Sequence, residues 1–372
     1  MRSTLWPVPV FPLLIDADSY TPCDWDLLAD AQARAYWLDL FDSQIESLTH
    51  VARLAGVLEN TCEQIVRSVR ACVAQLRDNP RALGDRLDIL ALDRMRDGIF
   101  RDAGVDDACR AIKSRESRVA LDALPERLAA LKAIVPADLP LALVQGIFAG
   151  NMFDMGAPLT AARFHNHEQA PAFASLLHDV KPRPWLIDNL DILSLENKRK
   201  ALLFVDNAGA DAALGALPLA LALDRAGCDV VFAANEAPAL NDITARELRE
   251  LLNHAHGAGV ERAGALRVVS TGSGDPLLDL SAVSRNLCDQ CAGVDLIVFF
   301  GMGRALESNW ASAFTCETWR LAVIKDPIIA ARRGGELYDC VCSVTPAGSA
   351  PSPVHQPAPC ARPIAGRTSD GA

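Results

Sequence analysis

The stretch that decides the fold reads Ala201-Leu202-Leu203-Phe204-Val205-Asp206-Asn207. It is a short apolar run of the kind that forms a buried β-strand, and it stops at an acid followed by an amide. A segment with helical periodicity follows and continues to Gly227. A buried strand that ends in polar residues and leads into a helix is the repeating unit of a parallel α/β sheet.

Similar strand–helix units continue towards the C-terminus. Further apolar runs lie at residues 230–234, 266–270, 296–300 and 321–324, and a last strand is predicted near 337–344. We predict a helix over 242–254, with Asp242 near its N-cap, and another over 280–291. Strands that alternate with helices form right-handed crossovers. The pattern therefore predicts an α/β fold with a mainly parallel, Rossmann-like doubly wound sheet.

The first half of the chain is predicted to be helical. Residues 26–78 are amphipathic with a break at Gly56, and further helices are predicted over 90–100, 119–135 and 139–153. The last residues contain six of the 22 prolines and are predicted to be a disordered tail. We therefore divide the chain into a mainly helical domain (1–198) that contributes to the active site, an α/β core (199–344) and the tail (345–372).

Composition excludes several classes of function. The 372 residues carry 36 Lys and Arg against 47 Asp and Glu, a net charge of −11, so no positive field is available to attract nucleic acid. No apolar stretch approaches the roughly 20 residues that cross a bilayer, so we expect no membrane partner. Eleven cysteines without regular spacing fit reduced thiols and a cytoplasmic location rather than a disulfide framework. These features do not predict the oligomeric state.

Polar side chains follow the predicted strands at the edge where the carboxyl ends of a parallel sheet meet. They are Asp206, Asn207, Asn235, Asp242, Ser273, Arg304 and Lys325. Ligands of open α/β sheets bind at that edge, so we expect these side chains to face one crevice. The acids and amides suit a hard divalent ion, and the two cations with the glycine turns suit a phosphate. The combination predicts phosphoryl chemistry, with Asn235 and Ser273 among the substrate-binding residues.

The helical half adds a second candidate cluster. Asn151 and Asp154 are three residues apart and therefore share one face of a predicted helix. Taken alone, this pair fits the solvated end of a helix better than a binding site.

Several motifs follow one another in the order found in one known family. They are Ala149-Gly150-Asn151-Met152-Phe153-Asp154, Arg183-Pro184-Trp185-Leu186, Asp206-Asn207-Ala208-Gly209-Ala210-Asp211, Asn235-Glu236-Ala237-Pro238-Ala239-Leu240-Asn241-Asp242-Ile243-Thr244 and Gly301-Met302-Gly303-Arg304-Ala305-Leu306. Through them, residues 5–344 resemble the damage-control phosphatase family, once called domain of unknown function 89. The similar branch is the one found as the phosphatase domain of the pantothenate kinase-like 4 protein and as a stand-alone protein in plants.

The resemblance implies a metal-dependent phosphatase that uses Mn²⁺, Ni²⁺, Co²⁺ or Mg²⁺ on small phosphorylated metabolites. In this branch the substrates are 4′-phosphopantetheine and its oxidised or otherwise damaged forms, which belong to coenzyme A metabolism. By the same resemblance the metal ligands are Asp206, Asn207 and Asp242, the helical-domain site residues are Asn151 and Asp154, and the phosphate is held by Arg304 and Lys325. Asp206 is then a ligand that also orients the attacking water, or the acceptor of a covalent phosphoryl group, and the sequence leaves both open.

The chain departs from this branch at four positions. Phe300 and Glu307 stand where relatives usually carry Glu and His, and Ser117 and Asp326 stand where Asn is common. The first two departures keep open a non-catalytic regulator that binds a metal or metabolite. Two further alternatives are a sugar-phosphate phosphatase and an S-adenosylmethionine-dependent carboxyl methyltransferase. The adjacent Asp206 and Asn207 favour a metal site over the methyltransferase.

Overall fold

The computed structural model of the chain describes residues 8–152 and 173–351. The predicted site residue Asp154 and the part of the predicted tail from residue 352 onward lie outside these described residues. Within the described ranges, no helix combines the length and the apolar character that crossing a bilayer requires.

The first half of the chain is helical, as predicted. Its helices are α1 (Ala31–Leu54), α2 (Glu59–Asp78), α3 (Ile89–Asp102), α4 (Arg110–Lys132), α5 (Leu139–Asn151) and α6 (Phe173–Asp179). Asp30 caps α1 because its carboxylate accepts a hydrogen bond of 2.9 Å from the N–H of Ala33. Gly56 lies at φ +92° between α1 and α2, which confirms the predicted break.

The second half alternates strands and helices. The strands are β1 (Ile187–Asp188), β2 (Lys200–Phe204), β3 (Asp229–Ala234), β4 (Arg267–Ser270), β5 (Leu296–Phe300), β6 (Glu317–Val323) and β7 (Cys340–Thr345). The helices are α7 (Leu217–Arg225), α8 (Ala245–Gly257), α9 (Arg285–Gln290) and α10 (Pro327–Arg333). Two wider π-helical turns, Asp211–Ala216 and Gly303–Glu307, follow β2 and β5.

The seven strands form one sheet in the order β1-β7-β6-β5-β2-β3-β4. All neighbouring strands are parallel except β6 and β7, so the prediction of a mainly parallel α/β sheet is confirmed. From β2 the chain proceeds through β3 to β4 and then returns to the other side of β2, where β5 and β6 lie. The strand order therefore reverses between β2 and β5, which is where ligands bind in sheets of this type.

Two predictions about element boundaries are wrong. Helix α8 begins at Ala245, not near Asp242, because Thr244 and Glu247 form a capping box at its first turn. Asp242 instead lies in the preceding loop, where it pairs with Asn207 as an isolated antiparallel bridge. The helix predicted over 280–291 is shorter and begins at Arg285, because the side chain of Ser284 caps it.

Helices cover both faces of the sheet, and the first-half helices divide between the two faces. Side chains of β2 alternate, so that Leu203 packs in the cluster that contains α4 and α5, whereas Leu202 and Phe204 pack in the cluster that contains α1, α2 and α3. Strand β1, from the part of the chain assigned to the mainly helical domain, pairs with β7. The domain boundary at residue 198 stays a prediction.

Candidate active site

The candidate site lies at the carboxyl ends of β2, β3 and β5. Asp206 and Asn207 come after β2, Asn235 follows β3 directly, and Gly301 follows β5 directly. Gly301 has φ +82°, and a Cβ atom there would collide with the carboxylate of Asp206. Both π-helical turns start within a few residues of this point, and such turns occur frequently at functional sites. Strand order and turn geometry therefore converge on one place.

A buried arginine joins the two predicted acidic ligands. The guanidinium of Arg304 donates from Nη1 to Asp206 Oδ1 and from Nη2 to Asp242 Oδ2, the latter at 3.0 Å. Asn235 completes this group, since its Oδ1 accepts from Arg304 at 3.2 Å and its Nδ2 donates to Asp242 at 3.1 Å. The Arg304 side chain is only 2% exposed, so these ion pairs act in a low-dielectric environment.

A second group of hydrogen bonds holds the other oxygen of Asp206. Asn151 Nδ2 donates to Asp206 Oδ2 at 3.1 Å and to Asp211 Oδ2 at 2.9 Å. Asn207 Nδ2 also donates to Asp206 Oδ2, at 3.0 Å. Asp211 was not predicted as a site residue, although it closes the same motif as Asp206. The two groups together fix the Asp206 carboxylate from both sides.

Helix α5 can deliver Asn151 because a glycine precedes it. A Cβ atom at Gly150 would lie 2.8 Å from the Cα of Asp211 and 2.9 Å from the carbonyl oxygen of Ala210. Only glycine therefore allows the last turn of α5 to approach this backbone so closely. Gly150 thus allows the close approach of α5 to the turn after β2, and Asn151 then reaches Asp206 at the sheet edge.

The local charges shift two pKa values in the site. Burial and then the neighbouring Asp206 raise the pKa of Asp211 to about 6. Burial alone would lower the pKa of Arg304, but the carboxylates of Asp242 and Asp206 raise it above its ordinary value. Arg304 is therefore a permanent cation between the two acids.

The remaining predicted residues differ in where they lie. Lys325 is fully buried after β6, and its charge acts on Asp211, where it opposes the raised pKa. Ser273 Oγ accepts from the N–H of Asp275, and the Ser273 carbonyl accepts from the N–H of Glu236, the residue that follows Asn235. The structure thus brings together Asn151, Asp206, Asn207, Asn235, Asp242 and Arg304.

Donor atoms in the site fit a hard divalent ion. Asn151 Oδ1 and Asp211 Oδ1 are buried oxygens that accept no hydrogen bond from the described residues. Such oxygens beside a carboxylate are suited to coordinate a divalent cation. Over residues 8–152 and 173–351, no three His, Cys, Asp or Glu side chains are arranged to hold a metal. Amide oxygens, such as those of Asn151 and Asn207, would therefore have to complete the ligand set.

A cavity of about 60 Å³ adjoins the carboxylates. It is lined on the sheet side by Asp206, Asp242, Met302 and Gly303, and on the helical side by Trp37, Phe41 and Gln44 of α1 and by Ile89, Asp93 and Arg96 of α3. In each helix these residues recur at three- and four-residue spacing and share one face. Sequence reasoning missed them because such a stripe is typical of core packing. The one available signal was the placement of an acid and an arginine on the buried face of α3.

The four departures from the related branch have different surroundings. Glu307 and Asp326 line the same cavity, so they change the wall of the candidate site. Phe300 is fully buried in the apolar cluster that contains α4 and α5. Ser117 Oγ accepts a hydrogen bond of 3.3 Å from the N–H of Gly209 and so supports the turn after Asn207.

Fold and site together define an α/β protein with an acid- and amide-rich site at the switch point of a parallel sheet. Residues 41–341 match the family described as "Damage-control phosphatase ARMT1-like domain", and the chain belongs to that family. This finding confirms the resemblance that the sequence motifs carry.

Named relatives agree with this assignment. The chain is 32% identical to damage-control phosphatase At2g17340 of Arabidopsis thaliana, over 91% of this chain and 97% of that protein. It is 34% identical to pantothenate kinase 2 of Arabidopsis thaliana and 28% identical to 4′-phosphopantetheine phosphatase of Mus musculus, and it spans 42% and 48% of their lengths. A DUF89 family protein from Pyrococcus horikoshii has the same fold, with a TM-score of 0.59 at 17% identity, over 82% of this chain and 96% of that chain.

Proposed function

We propose that this chain is a metal-dependent phosphatase of small phosphorylated metabolites, with 4′-phosphopantetheine and its oxidised or damaged forms as substrates. The observation that carries the proposal is the cluster at the switch point. There Arg304 joins Asp206 to Asp242, and beside them lie oxygens of Asn151 and Asp211 that accept no hydrogen bond from the described residues. The family assignment supports the reaction, and the similarity to the mouse 4′-phosphopantetheine phosphatase supports the substrate.

The proposed metal ligands are Asp206, Asn207 and Asp242, with a divalent ion such as Mn²⁺, Ni²⁺, Co²⁺ or Mg²⁺. When bound, such an ion supplies Lewis acidity towards a phosphoryl oxygen and activation of water. The protein contributes a preformed site, since Asn151 and Asn207 already fix the orientation of the Asp206 carboxylate.

Arg304 and Lys325 are the proposed electrostatic catalysts. Phosphoryl transfer spreads negative charge over the equatorial oxygens of the transition state, and fixed cations stabilise that charge. Arg304 is held by three hydrogen-bond acceptors, so it needs no reorganisation when charge develops. We propose that Asp206 orients the attacking water and that Asn151, Asp154, Asn235 and Ser273 contact substrate.

Phosphate release tests the proposal directly. The chelated protein is assayed on 4′-phosphopantetheine and on a panel of sugar phosphates, and then again with each of the four metals restored. We expect phosphate release only with metal. We expect Asp206→Ala to reduce the release to background, because one carboxylate that is proposed both to bind the metal and to orient the water is lost. Asp191→Ala is the matched control, since that side chain is 83% exposed in a surface ion pair.

Other outcomes would distinguish between the alternative functions. Faster release from sugar phosphates would replace the substrate class but keep the reaction. Metal binding without release from any ester would identify a binding-only regulator. Methyl transfer from S-adenosylmethionine without metal would show that the phosphatase proposal is wrong.

A further inference from the structure

Two hydrogen-bond donors on residues that line the site cavity have no acceptor among the described residues. They are Nη2 of Arg96 and Nε1 of Trp37, and both atoms are buried. Both residues line the cavity that contains Asp206 and Asp242. Leaving a buried donor without a partner is costly, and a bound ligand or water is one way in which such a donor is satisfied.

Two carboxylates hold the guanidinium of Arg96, and its Nη2 atom has no acceptor among the described residues. Its Nη1 pairs with Asp93 at 2.9 Å, and its Nε pairs with Asp97 at 2.8 Å. Its face packs over the ring of Phe41 at 5.3 Å from the ring centre. The side chain is 4% exposed, and burial of a cation without use of all its donors is unusual.

Trp37 supplies the second donor from α1. Its indole is 4% exposed and packs edge to face against Tyr36, with ring centres 5.6 Å apart. The indole N–H can donate a hydrogen bond but cannot accept one. The same is true of the arginine, so a group that satisfies either donor must be an acceptor.

We propose that Trp37 and Arg96 form a subsite for the phosphoryl oxygens of the substrate. The inference rests on the proposed function and names residues of the helical half that bind the reacting group. A cavity of about 60 Å³ has room for a group of a few heavy atoms, since one water needs about 10–15 Å³. Phosphoryl oxygens are strong acceptors that favour charged donors.

Five acids line the cavity: Glu307 interacts electrostatically with Arg333, and the other four are engaged by hydrogen bonds or ion pairs. Asp326 accepts a hydrogen bond from Tyr36 Oη at 2.8 Å and one from the N–H of Ile328 at 2.8 Å. Asp93 is paired with Arg96, and Asp206 and Asp242 are joined to Arg304. Nη2 of Arg96 and Nε1 of Trp37 are therefore donors of the cavity lining that have no acceptor among the described residues.

Binding of inorganic phosphate, measured by calorimetry in Mg²⁺, tests the subsite without turnover. Trp37→Phe removes the N–H and keeps an aromatic ring, and we expect about tenfold weaker phosphate binding and a raised KM. Trp310→Phe is the matched control, because Trp310 Nε1 is also buried without an acceptor in the part of the chain that the structure describes, but Trp310 does not line this cavity. We expect that variant to bind phosphate like the wild type.

Arg96→Lys keeps the charge and loses the planar fork, so we expect it to weaken phosphate binding, whereas Arg127→Lys at another buried arginine leaves it unchanged. In the wild type, the indole N–H resonance of Trp37 is expected to move on addition of phosphate. Phosphate affinity within twofold of wild type in Trp37→Phe, or an unmoved resonance, overturns the subsite. Phosphate binding that depends on Trp37 in a protein that hydrolyses no ester would keep the subsite and reject the phosphatase proposal.

Discussion

At the scale of single residues, Gly301 decides whether the Asp206 carboxylate can occupy its place. A Cβ atom there would collide with that carboxylate, and the backbone lies at φ +82°. We expect Gly301→Ala to lower the free energy of unfolding by about 2–4 kcal/mol, because the strain of a positive φ adds to the clash. Phosphate release should fall to near background, since Asp206 must move. Denaturant unfolding and the release assay measure the two effects.

Gly227→Ala separates the clash from the backbone strain. Gly227 has a similar φ of +91°, but a Cβ atom there meets nothing within 4 Å. Its substitution is expected to cost about 1 kcal/mol and to leave activity intact. Equal losses of stability and activity in the two variants would show that contact with Asp206 does not matter.

The acids and amides of the site could be predicted from the sequence, but the buried residues around them could not. Asp206, Asn207 and Asn235 could be placed because strand ends of a parallel sheet converge on one edge. Asp211 and Arg96 could not, because their importance depends on which atoms remain unpartnered after packing. That property belongs to tertiary contacts between elements far apart in the chain.

At the scale of elements, the start of α8 positions one of the proposed metal ligands. Thr244 Oγ1 accepts from the N–H of Glu247 at 3.2 Å, and Glu247 Oε2 accepts from the N–H of Thr244 at 2.9 Å. Asp242 lies two residues before this cap. We expect Thr244→Ala to lower the free energy of unfolding by about 1 kcal/mol and to weaken metal binding, because the loop that holds Asp242 loses its anchor.

Metal titration of activity and chemical unfolding measure these two effects, and Ser284→Ala is the control. Ser284 caps α9 in the same way, through a hydrogen bond of 3.0 Å from the N–H of Leu287, but it holds no proposed ligand. Its substitution should cost similar stability and leave the metal dependence unchanged. Metal dependence that shifts equally in both variants would argue against a specific role for the α8 cap.

Elements with a clear pattern of apolar residues could be predicted from the sequence. Elements that depend on particular hydrogen bonds could not. Strand β5 matches its predicted range, 296–300, since five apolar residues form a buried run. The two-residue β1 has too few residues to form a pattern, and it exists because β7 offers a partner. The π-helical turns differ from α-helix only in hydrogen-bond register, which composition does not encode.

At the scale of the whole molecule, the site depends on helices from both faces of the sheet. Helix α5 packs on one face and delivers Asn151, whereas α1 and α3 pack on the other face and deliver Trp37 and Arg96. At the carboxyl edge of the sheet, side chains from both faces meet around the loops that hold Asp206 and Asp242. The helical half therefore supplies part of the wall of the candidate site.

The packing of α4 against the sheet edge makes stability depend on pH. Burial raises the pKa of Glu116 to about 7, and its Oε1 accepts no hydrogen bond from the described residues. A raised pKa means that the native state holds the proton more tightly than the unfolded state does. The stabilising contribution of Glu116 to the free energy of unfolding is therefore fully present below pH 4.5, its ordinary pKa. It is lost as the pH rises through about 7.

We expect Glu116→Gln to remove this loss, because an amide does not ionise. The difference in free energy of unfolding between the variant and the wild type should grow by about 3 kcal/mol in favour of the variant between acidic and mildly alkaline pH. Glu59→Gln provides a control of opposite sign, since Arg53 lowers the pKa of Glu59 through a hydrogen bond. Urea unfolding across that pH range measures all three proteins. Parallel stability curves for Glu116→Gln and the wild type would mean that Glu116 is solvated in the native state, and that α4 does not close over the turn at Gly209.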